Sequence, residues 1–482
     1  MTSPVQIQQL ARIVGGQMLY PPLHPIYVTS FSIDTRTLKQ GDVFVAIKGP
    51  HFNGNDFVEK AFLKGACCAI VSRLRWHLKA KRQEIAELGP GPLIAVSDTT
   101  QALAKLGTYF RRKLRAKVIA VTGSIGKTAT REMLAAVLGR SGKTYQSRSN
   151  YNNVYGVPLS IFEARPDCEY LVVELGMNAK GEIAQLADIC QPDYGVVTNV
   201  STCHTEFFES LDDVADTKAE LFEKLPEKGA LFVNADDSRL ESRTHLAKCK
   251  VVGFGLSAGE FRGDNLRSLG ENGTAFEVFY GGESHSLRCP LLGAHNVKNA
   301  LAAVAVGRHL GMSWDAIVAG LADTSSLPHR VNLVGSRDGR LRVLDDSYNS
   351  SPAAVRAAID TLLVLRGDVD PARSVILVLG DMLELGRLSE SEHYKVGVYV
   401  GSRPIDQLFL LGPLSKHTAR GACDSGMAPE RIHHCQSIYD LKSALDEVQD
   451  GAWVLVKGSR AWALDRLVDR LCGESRQKVL IR

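Results

Sequence analysis

The sequence predicts an α/β protein of three domains. Three observations carry this: a length of 482 residues, short apolar β-like runs alternating with helical patterns, and a strand–glycine turn–helix passage at Val118–Leu134. A chain this long exceeds what one core ordinarily serves. Alternating strand and helix signals point to mostly parallel sheets covered by helices. An apolar fraction of 45% and a charged fraction of 23% fit a globular chain, and 43 glycines supply its turns.

Residues 1–115 form the first expected domain, a small α/β binding module. YVTSFSIDTRTLKQGDVFVAIKG is extended with polar turns, FVEKAFLKGA reads as a helix and CCAIVS as a strand. No nucleophile or metal cluster stands out there. The basic FRRKLRAK at 110–117 reads as a solvated helix end leading into the next domain.

The second expected domain, 116–327, opens with VIAVTGSIGKTATREML. Gly123-Ser124-Ile125-Gly126-Lys127-Thr128 is two residues shorter than the usual G-x-x-x-x-G-K-[ST] loop. It nevertheless follows a β-like run and precedes the helix-forming TREMLAAVL. Backbone N–H groups at a helix start cradle phosphate, and a lysine adds a point charge, so nucleoside-triphosphate chemistry is the reading. Lys127 then reaches the β/γ-phosphates and the Thr128 hydroxyl meets magnesium.

Further strands at Tyr170–Leu175, Tyr194–Asn199 and Ala230–Asn234 alternate with helices at Gly181–Cys190, Leu211–Leu225 and Asn296–Leu310. Ligands of such a sheet bind at the C-terminal strand ends. Glu174 ends one strand, as a magnesium ligand or a solvated carboxylate. His204 follows the next, as a ligand, an orienting group or a surface histidine. Lys218, within DDVADTKAELFEKL, reads from its pattern as exposed.

The third expected domain, 328–482, repeats this grammar with strands at Arg342–Leu344, Val375–Leu379, Gln407–Leu411 and Trp453–Val456. Helices start near Ala353, Tyr439 and Trp462. No G-x-G-x-x-G follows its strands, so it reads as a closing partner of the nucleotide domain. His433-His434-Cys435 lies between candidate elements without a matching second cluster for zinc.

The net charge of +4 is too small and dispersed to point to nucleic acid, although it suits an anionic substrate. MTSPVQIQQLARIVGG lacks the basic n-region and apolar core of a signal peptide, and no stretch reaches the length of a membrane span. Ten cysteines include no C-x-x-C, so reduced thiols and a cytoplasmic location are expected.

Over nearly its whole length the chain resembles the Mur ligases. TGSIGKTAT matches the family's TGSxGKTxT loop, whose glycine spacing is equally short. SNYNNVYGVPLS, VVELGMNAKGEIAQLA, HTEFFESLDDVADTKAELF and NADD resemble the central-domain signatures. LLGAHNVKNALAA matches the G-x-HN-x-x-N block, and DDSYNSSP, LVLGDMLELG and VLVKGSR resemble the last domain.

The resemblance implies the three-domain Mur ligase architecture: a small N-terminal α/β domain, a central P-loop ATPase domain and a C-terminal Rossmann-like domain. It implies ATP and two magnesium ions, with Gly123, Ser124, Gly126 and Lys127 at the phosphates and Thr128 and Glu174 at one ion. His204 would hold the second ion beside a carbamylated Lys218, so that Lys127, His204 and Lys218 carry catalysis. Asn296 and Asn299, next to His295, would lie near the adenine, with Asn296 contacting it. Arg330 and Asp346 would reach ATP from the third domain, where Tyr348 and Asn349 share the loop. DTRTLKQGDVFVAIKG would place Thr35, Arg36 and Lys48 near the UDP portion of a substrate.

Several positions depart from the family pattern. Thr35 stands for a serine, Asn53-Gly54-Asn55 for DGH, Ile125 for a common asparagine and Ala179 for a frequent histidine. His329 replaces the glycine before Arg330, and Asp465 follows KGSR where glutamate is common. The DNPR motif of the relatives that add diaminopimelate or lysine is absent, and DMLELG favours the dipeptide-adding branch. The implied substrates are UDP-N-acetylmuramoyl-tripeptide and D-alanyl-D-alanine, joined by a monomeric enzyme with no nucleic-acid or membrane partner. The rival readings are a P-loop hydrolase or kinase, a nucleotide-sugar-binding scaffold, and another Mur-type amino-acid ligase.

Overall fold

The computed structural model describes residues 4–22, 24–73, 91–148, 150–202 and 205–473, which build three α/β units around three principal sheets. In the first, five strands run in the order Gln17–Tyr20, Leu93–Val96, Cys68–Ser72, Val43–Val45, Phe31–Ser32. Only Gln17–Tyr20 is antiparallel to its neighbour. The Thr99–Arg111 helix follows, its N-terminus capped by Asp98, which accepts from the N–H groups of Thr100 and Gln101.

The central sheet has nine strands, in the order Glu283–Cys289, Thr274–Tyr280, Phe261–Ser268, Lys250–Gly255, Ala230–Asn234, Tyr194–Val197, Lys117–Thr122, Tyr170–Glu174, Thr144–Gln146. The last seven pair in parallel, and the first two add an antiparallel extension. The middle strands are continuous apolar runs because helices cover both faces. Val118 and Ala120 point into one core, and Ile119 and Val121 into the other, following the two-residue period of a strand. Lys117–Thr122 lies where successive connections change direction, which opens a crevice at its C-terminal end.

The third sheet runs Asn332–Gly335, Leu341–Asp345, Ala452–Lys457, Val375–Gly380, Gln407–Leu411, Ile432–Cys435, and only its first strand is antiparallel. His433-His434-Cys435 therefore belongs to an edge strand rather than to a connection. The last helix begins at Asp465, after a 3-10 turn at Arg460–Trp462, and not at Trp462.

The first two units share one core. The Phe31 ring of the first sheet packs at a tilt, 4.4 Å from that of Phe162 on the Gly156–Glu163 helix, with Phe110 edge-on at 5.6 Å from the same ring. Arg111 corrects the reading of FRRKLRAK as wholly solvated. Its guanidinium is buried and donates to the carbonyl oxygens of Cys190 (2.7 Å) and Gln191 (3.0 Å) and to the Asp193 carboxylate (2.9 Å). Arg112, Lys113 and Arg115 are exposed, as a helix end would be. Arg111→Ala strands those carbonyls and is expected to cost on the order of 3 kcal/mol, read from urea unfolding. A loss below about 1 kcal/mol would leave the joint to apolar packing alone.

The third unit adds two further cores, one of which takes in Leu292 of the central unit, and polar contacts also join the two units. These include Arg342 with Glu271 (2.6 Å), the Glu206 N–H on the Glu384 carbonyl (3.0 Å), Tyr348 with Asn150, and Arg387 with the Glu209 carbonyl. Among the described residues no helix is long and apolar enough to cross a membrane.

Burial holds three imidazoles, those of His295, His309 and His393, below their usual 6.5. The unfolded chain therefore takes up these protons more readily than the folded one. Their contribution to stability is full above 6.5 and fades as pH falls. The urea midpoint is expected to drop between about pH 7 and pH 5; a flat profile over that window contradicts the assignment.

Candidate active site at the phosphate loop

The loop after Lys117–Thr122 is fixed by its glycines and by the next strand. Gly123 has φ +143°, and a Cβ there would meet Thr198 Oγ1 at 1.9 Å. Gly126 has φ +87° and lies so close to Asn299 that a Cβ would meet its Oδ1 at 2.5 Å. Asn199 brackets Ile125, accepting from its N–H (3.1 Å) and donating to its carbonyl (2.9 Å), which also accepts from Thr198 Oγ1 (2.6 Å). Ser124 donates its N–H to the Asn199 carbonyl (2.9 Å) and accepts from the Ser201 N–H (3.0 Å). Gly126→Ala combines a left-handed backbone with a clash. It is expected to weaken ADP binding at least about tenfold in calorimetry, and unchanged affinity would count against this loop as the nucleotide site.

Gly126 caps the Lys127–Gly139 helix, whose first residue turns Nζ back onto the carbonyls of Gly123 (2.8 Å) and Ser124 (3.2 Å). The lysine thus lies across the mouth of the loop. One residue on, Thr128 Oγ1 donates to Glu174 Oε2 (2.9 Å), while Asn152 Nδ2 donates to Oε1 (3.0 Å). Thr128 and Glu174 are buried, and Arg131 Nη1 lies 3.7 Å from the same carboxylate. An adjacent hydroxyl and carboxylate form an oxygen donor set that suits magnesium, which takes few protein ligands and keeps several waters.

Lys218 is buried on the Leu211–Lys224 helix, which corrects its exposed reading. Its Nζ lies 3.7 Å from Met177 Sδ, three residues past Glu174. The period of that helix points Lys218 inward with Val214, Leu221 and Phe222, and the charges around it masked this in the sequence. His204 lies outside the described residues.

Asn296 and Asn299 open the His295–His309 helix, both buried. Asn296 Nδ2 donates to the Leu292 carbonyl (2.8 Å) and Asn299 Nδ2 to Asn296 Oδ1 (2.9 Å), so the pair backs directly onto Gly126. Next to them, burial lowers the His295 imidazole, which feels both Asp346 and Lys457 of the third unit. Asp346 pairs with the buried Lys457 (2.5 Å), whose Nζ also donates to the Asn349 carbonyl (2.8 Å). The Arg330 guanidinium lies 4.1 Å over the Tyr348 ring, and Tyr348 reaches Asn150 of the central unit. His329 explains why glycine is usual before this arginine: its φ is +59°, and its Nδ1 is held 3.1 Å from the buried Asp345.

The first-domain residues sit on a different sheet from the phosphate loop. Thr35 is buried and Lys48 exposed, and the exposed Arg36 pairs with Asp34 (2.7 Å), holding that carboxyl below its usual range. Asn53 and Asn55 are occupied within the fold. Asn53 Oδ1 accepts from the Asn55 backbone N–H (3.1 Å) and side-chain amide (2.8 Å), and Asn55 Oδ1 accepts from the Ser72 N–H (2.9 Å). Sequence reasoning did not single out Asn152 or Arg131, although Asn152 stands inside the SNYNNVYGVPLS signature and Arg131 inside the helix-forming TREMLAAVL.

Three family descriptions match the chain in order: a Mur ligase family catalytic domain at 27–111, a Mur ligase middle domain at 121–307 and a Mur ligase glutamate ligase domain at 329–460. The Escherichia coli (strain K12) UDP-N-acetylmuramoyl-tripeptide–D-alanyl-D-alanine ligase is 35% identical over 97% of this chain and 98% of its own length. The Bacillus subtilis (strain 168) protein of that name is 33% identical over 96% and 98%. Among solved structures, MurF from Acinetobacter baumannii superposes with a TM-score of 0.85 at 30% identity, covering 98% of this chain and all of that one. MurF ligase from Thermotoga maritima, solved in complex with ADP, gives 0.79 at 26% identity, covering 94% and 99%. With three ordered domain matches and relatives aligned end to end, the chain belongs to the Mur ligase family.

Proposed function

We propose that the protein is an ATP-dependent amide ligase that joins D-alanyl-D-alanine to UDP-N-acetylmuramoyl-tripeptide, forming the pentapeptide precursor of peptidoglycan. The observation that carries the reading is the buried Thr128–Glu174 pair, braced by Asn152 under a phosphate loop, with a separate third domain reaching the same strand edge. The names of the full-length relatives support the substrates, and ADP in the Thermotoga protein supports the nucleotide. In this reading residues 1–115 hold the UDP-sugar through Thr35, Arg36 and Lys48, 116–327 bind ATP, and 328–482 complete the site as a closing domain.

Gly123, Ser124 and Gly126 present backbone to the phosphates, and Lys127 aligns and neutralises them. Asn296 and Asn299 set the nucleotide against Gly126, and Arg330 and Asp346 approach from the third domain. Thr128 and Glu174 would hold one magnesium ion, and His204 with a carbamylated Lys218 a second; bound there, the ions offset charge between two anions. The tripeptide carboxylate oxygen bonds to the γ-phosphorus as the bond to ADP breaks, giving an acyl phosphate. The dipeptide amine then bonds to that carbonyl carbon, loses a proton and expels inorganic phosphate. The chain's part is to hold these groups in line and exclude water. The same reading makes the enzyme a cytoplasmic monomer.

The test is to incubate purified protein with ATP, magnesium and UDP-N-acetylmuramoyl-tripeptide, with and without the dipeptide, and weigh the products. A product heavier by the dipeptide minus water is expected, with phosphate released only when the dipeptide is present. Dipeptide-independent phosphate release would mean a hydrolase, a phosphorylated product a kinase, and binding without turnover a scaffold.

A further inference from the structure

A cleft of 590 Å3 lies between the central and third domains, in the range of small-ligand sites. Arg131, Ser147 and Arg148 line its central wall, and Arg330, Tyr348 and Arg460 its other wall. Two of the four guanidiniums are committed elsewhere, and two keep an exposed edge. Arg131 is buried and donates to Glu132 (2.6 Å) and Gln146 (3.0 Å). Arg330 stacks on Tyr348, while Arg148, on the central wall, is 65% exposed and pairs through Nε with Glu163 (2.9 Å).

Arg460 differs. It begins the turn just past the C-terminal end of Ala452–Lys457, and its side chain is 58% exposed. One edge, Nη1, is fixed by Asp465 Oδ2 at 2.7 Å, and its guanidinium lies 5.7 Å from the Tyr348 ring centre. Asp465 is mostly covered, and its second oxygen, Oδ1, is buried with no hydrogen-bond partner among the described residues. Arg131 Nη1, on the opposite wall, is likewise buried without a hydrogen-bond acceptor, 3.7 Å from Glu174. The cleft is therefore one side chain away from the carboxylate of the proposed magnesium site.

We propose that Arg460 binds the free carboxylate of the incoming dipeptide, and that Asp465 is the positioning residue that fixes its guanidinium. The assignment rests on the ligase reading and deepens it. An amide-forming acceptor must present a free amine at the acyl carbon while its other end is held. In D-alanyl-D-alanine that other end is a carboxylate. A guanidinium matches a carboxylate with two parallel N–H donors, and Arg460 keeps its remaining edge for this while Asp465 holds Nη1. An extended dipeptide spans about 7 Å, which lets its amine point from Arg460 toward the Arg131–Glu174 wall. The phosphates have their own donors at the loop and Lys127, so Arg460 is not needed there.

The test compares D-alanyl-D-alanine with its C-terminal amide in steady-state kinetics on the full-length enzyme. Arg460→Ala is expected to raise KM for the dipeptide on the order of ten- to a hundredfold and to lose the preference for acid over amide. KM for ATP and for the UDP-tripeptide should stay within about twofold, which also reports an intact fold. Arg460→Lys should recover part of the preference. Asp465→Asn should raise the dipeptide KM more than it lowers kcat, with Asp465→Glu recovering it. An unchanged acid-to-amide preference in Arg460→Ala, or a rise confined to the UDP-tripeptide KM, overturns the assignment while the ligase reading stands. A wild-type enzyme with no dipeptide-dependent turnover overturns both.

Discussion

Lys127→Ala is expected to lower kcat on the order of a hundred- to a thousandfold while the protein stays folded. The side chain is not part of a core. Its Nζ crosses the loop to the carbonyls of Gly123 and Ser124, and the loop itself is held by Asn199, Thr198 and Ser201. Removing it leaves those braces in place, so far-ultraviolet circular dichroism and the melting temperature should hardly change. What is lost is the charge that lets one anion approach another, which is a transition-state contribution and falls mainly on kcat. Lys127→Arg keeps the charge but not its compact placement, and only partial recovery is expected. Near-normal turnover of a folded Lys127→Ala enzyme would remove this lysine from the mechanism.

The second large effect concerns Lys218. Lys218→Arg retains a long cationic side chain but cannot carry a carbamate, and it is expected to lose activity at least about a hundredfold. The position is buried beside Met177, so a purely packing role would also be sensitive to substitution. Two readouts separate the roles. Wild-type protein equilibrated with 13C-labelled bicarbonate should give a carbamate carbon resonance that Lys218→Arg lacks. Wild-type activity should also fall when carbon dioxide is stripped from the buffer and return when bicarbonate is added. Absence of that resonance with full activity would mean that Lys218 acts unmodified.

The parallel part of the fold was legible because its strands are long apolar runs. Ala230–Asn234 and Gln407–Leu411 were placed to the residue. The antiparallel extension at 261–289 was missed because its strands alternate buried and exposed positions and carry many charges. Gly281-Gly282 between TAFEVFY and ESHSLRC was the available signal for a tight hairpin, and both glycines adopt positive φ. The Ser389–Gly401 and Ser415–Asp424 helices also went unread, since polar residues interrupt their apolar faces.

At the site, the glycine turn, the helix start at Lys127 and the strand ending at Glu174 were legible from the local pattern, while the metal role expected of Glu174 came from the family resemblance. The braces were not legible. Asn152 on Glu174, Asn199 on Ile125 and Asn299 on Gly126 each join residues at least 22 positions apart, and no local pattern encodes such a contact. Arg111 is the same lesson in the opposite direction. One arginine in a basic run is buried because three carbonyl and carboxylate partners await it on another domain.

The central claim is that the donor carboxylate is activated as an acyl phosphate at this loop and then captured by the dipeptide amine. The direct test is a turnover with UDP-N-acetylmuramoyl-tripeptide carrying 18O in its terminal carboxylate, followed by mass spectrometry of the released phosphate. The account expects one 18O in each phosphate released and one retained in the new amide carbonyl. Unlabelled phosphate, with both labelled oxygens still on the tripeptide, would contradict it, because the γ-phosphoryl group would then have gone to water or to a hydroxyl.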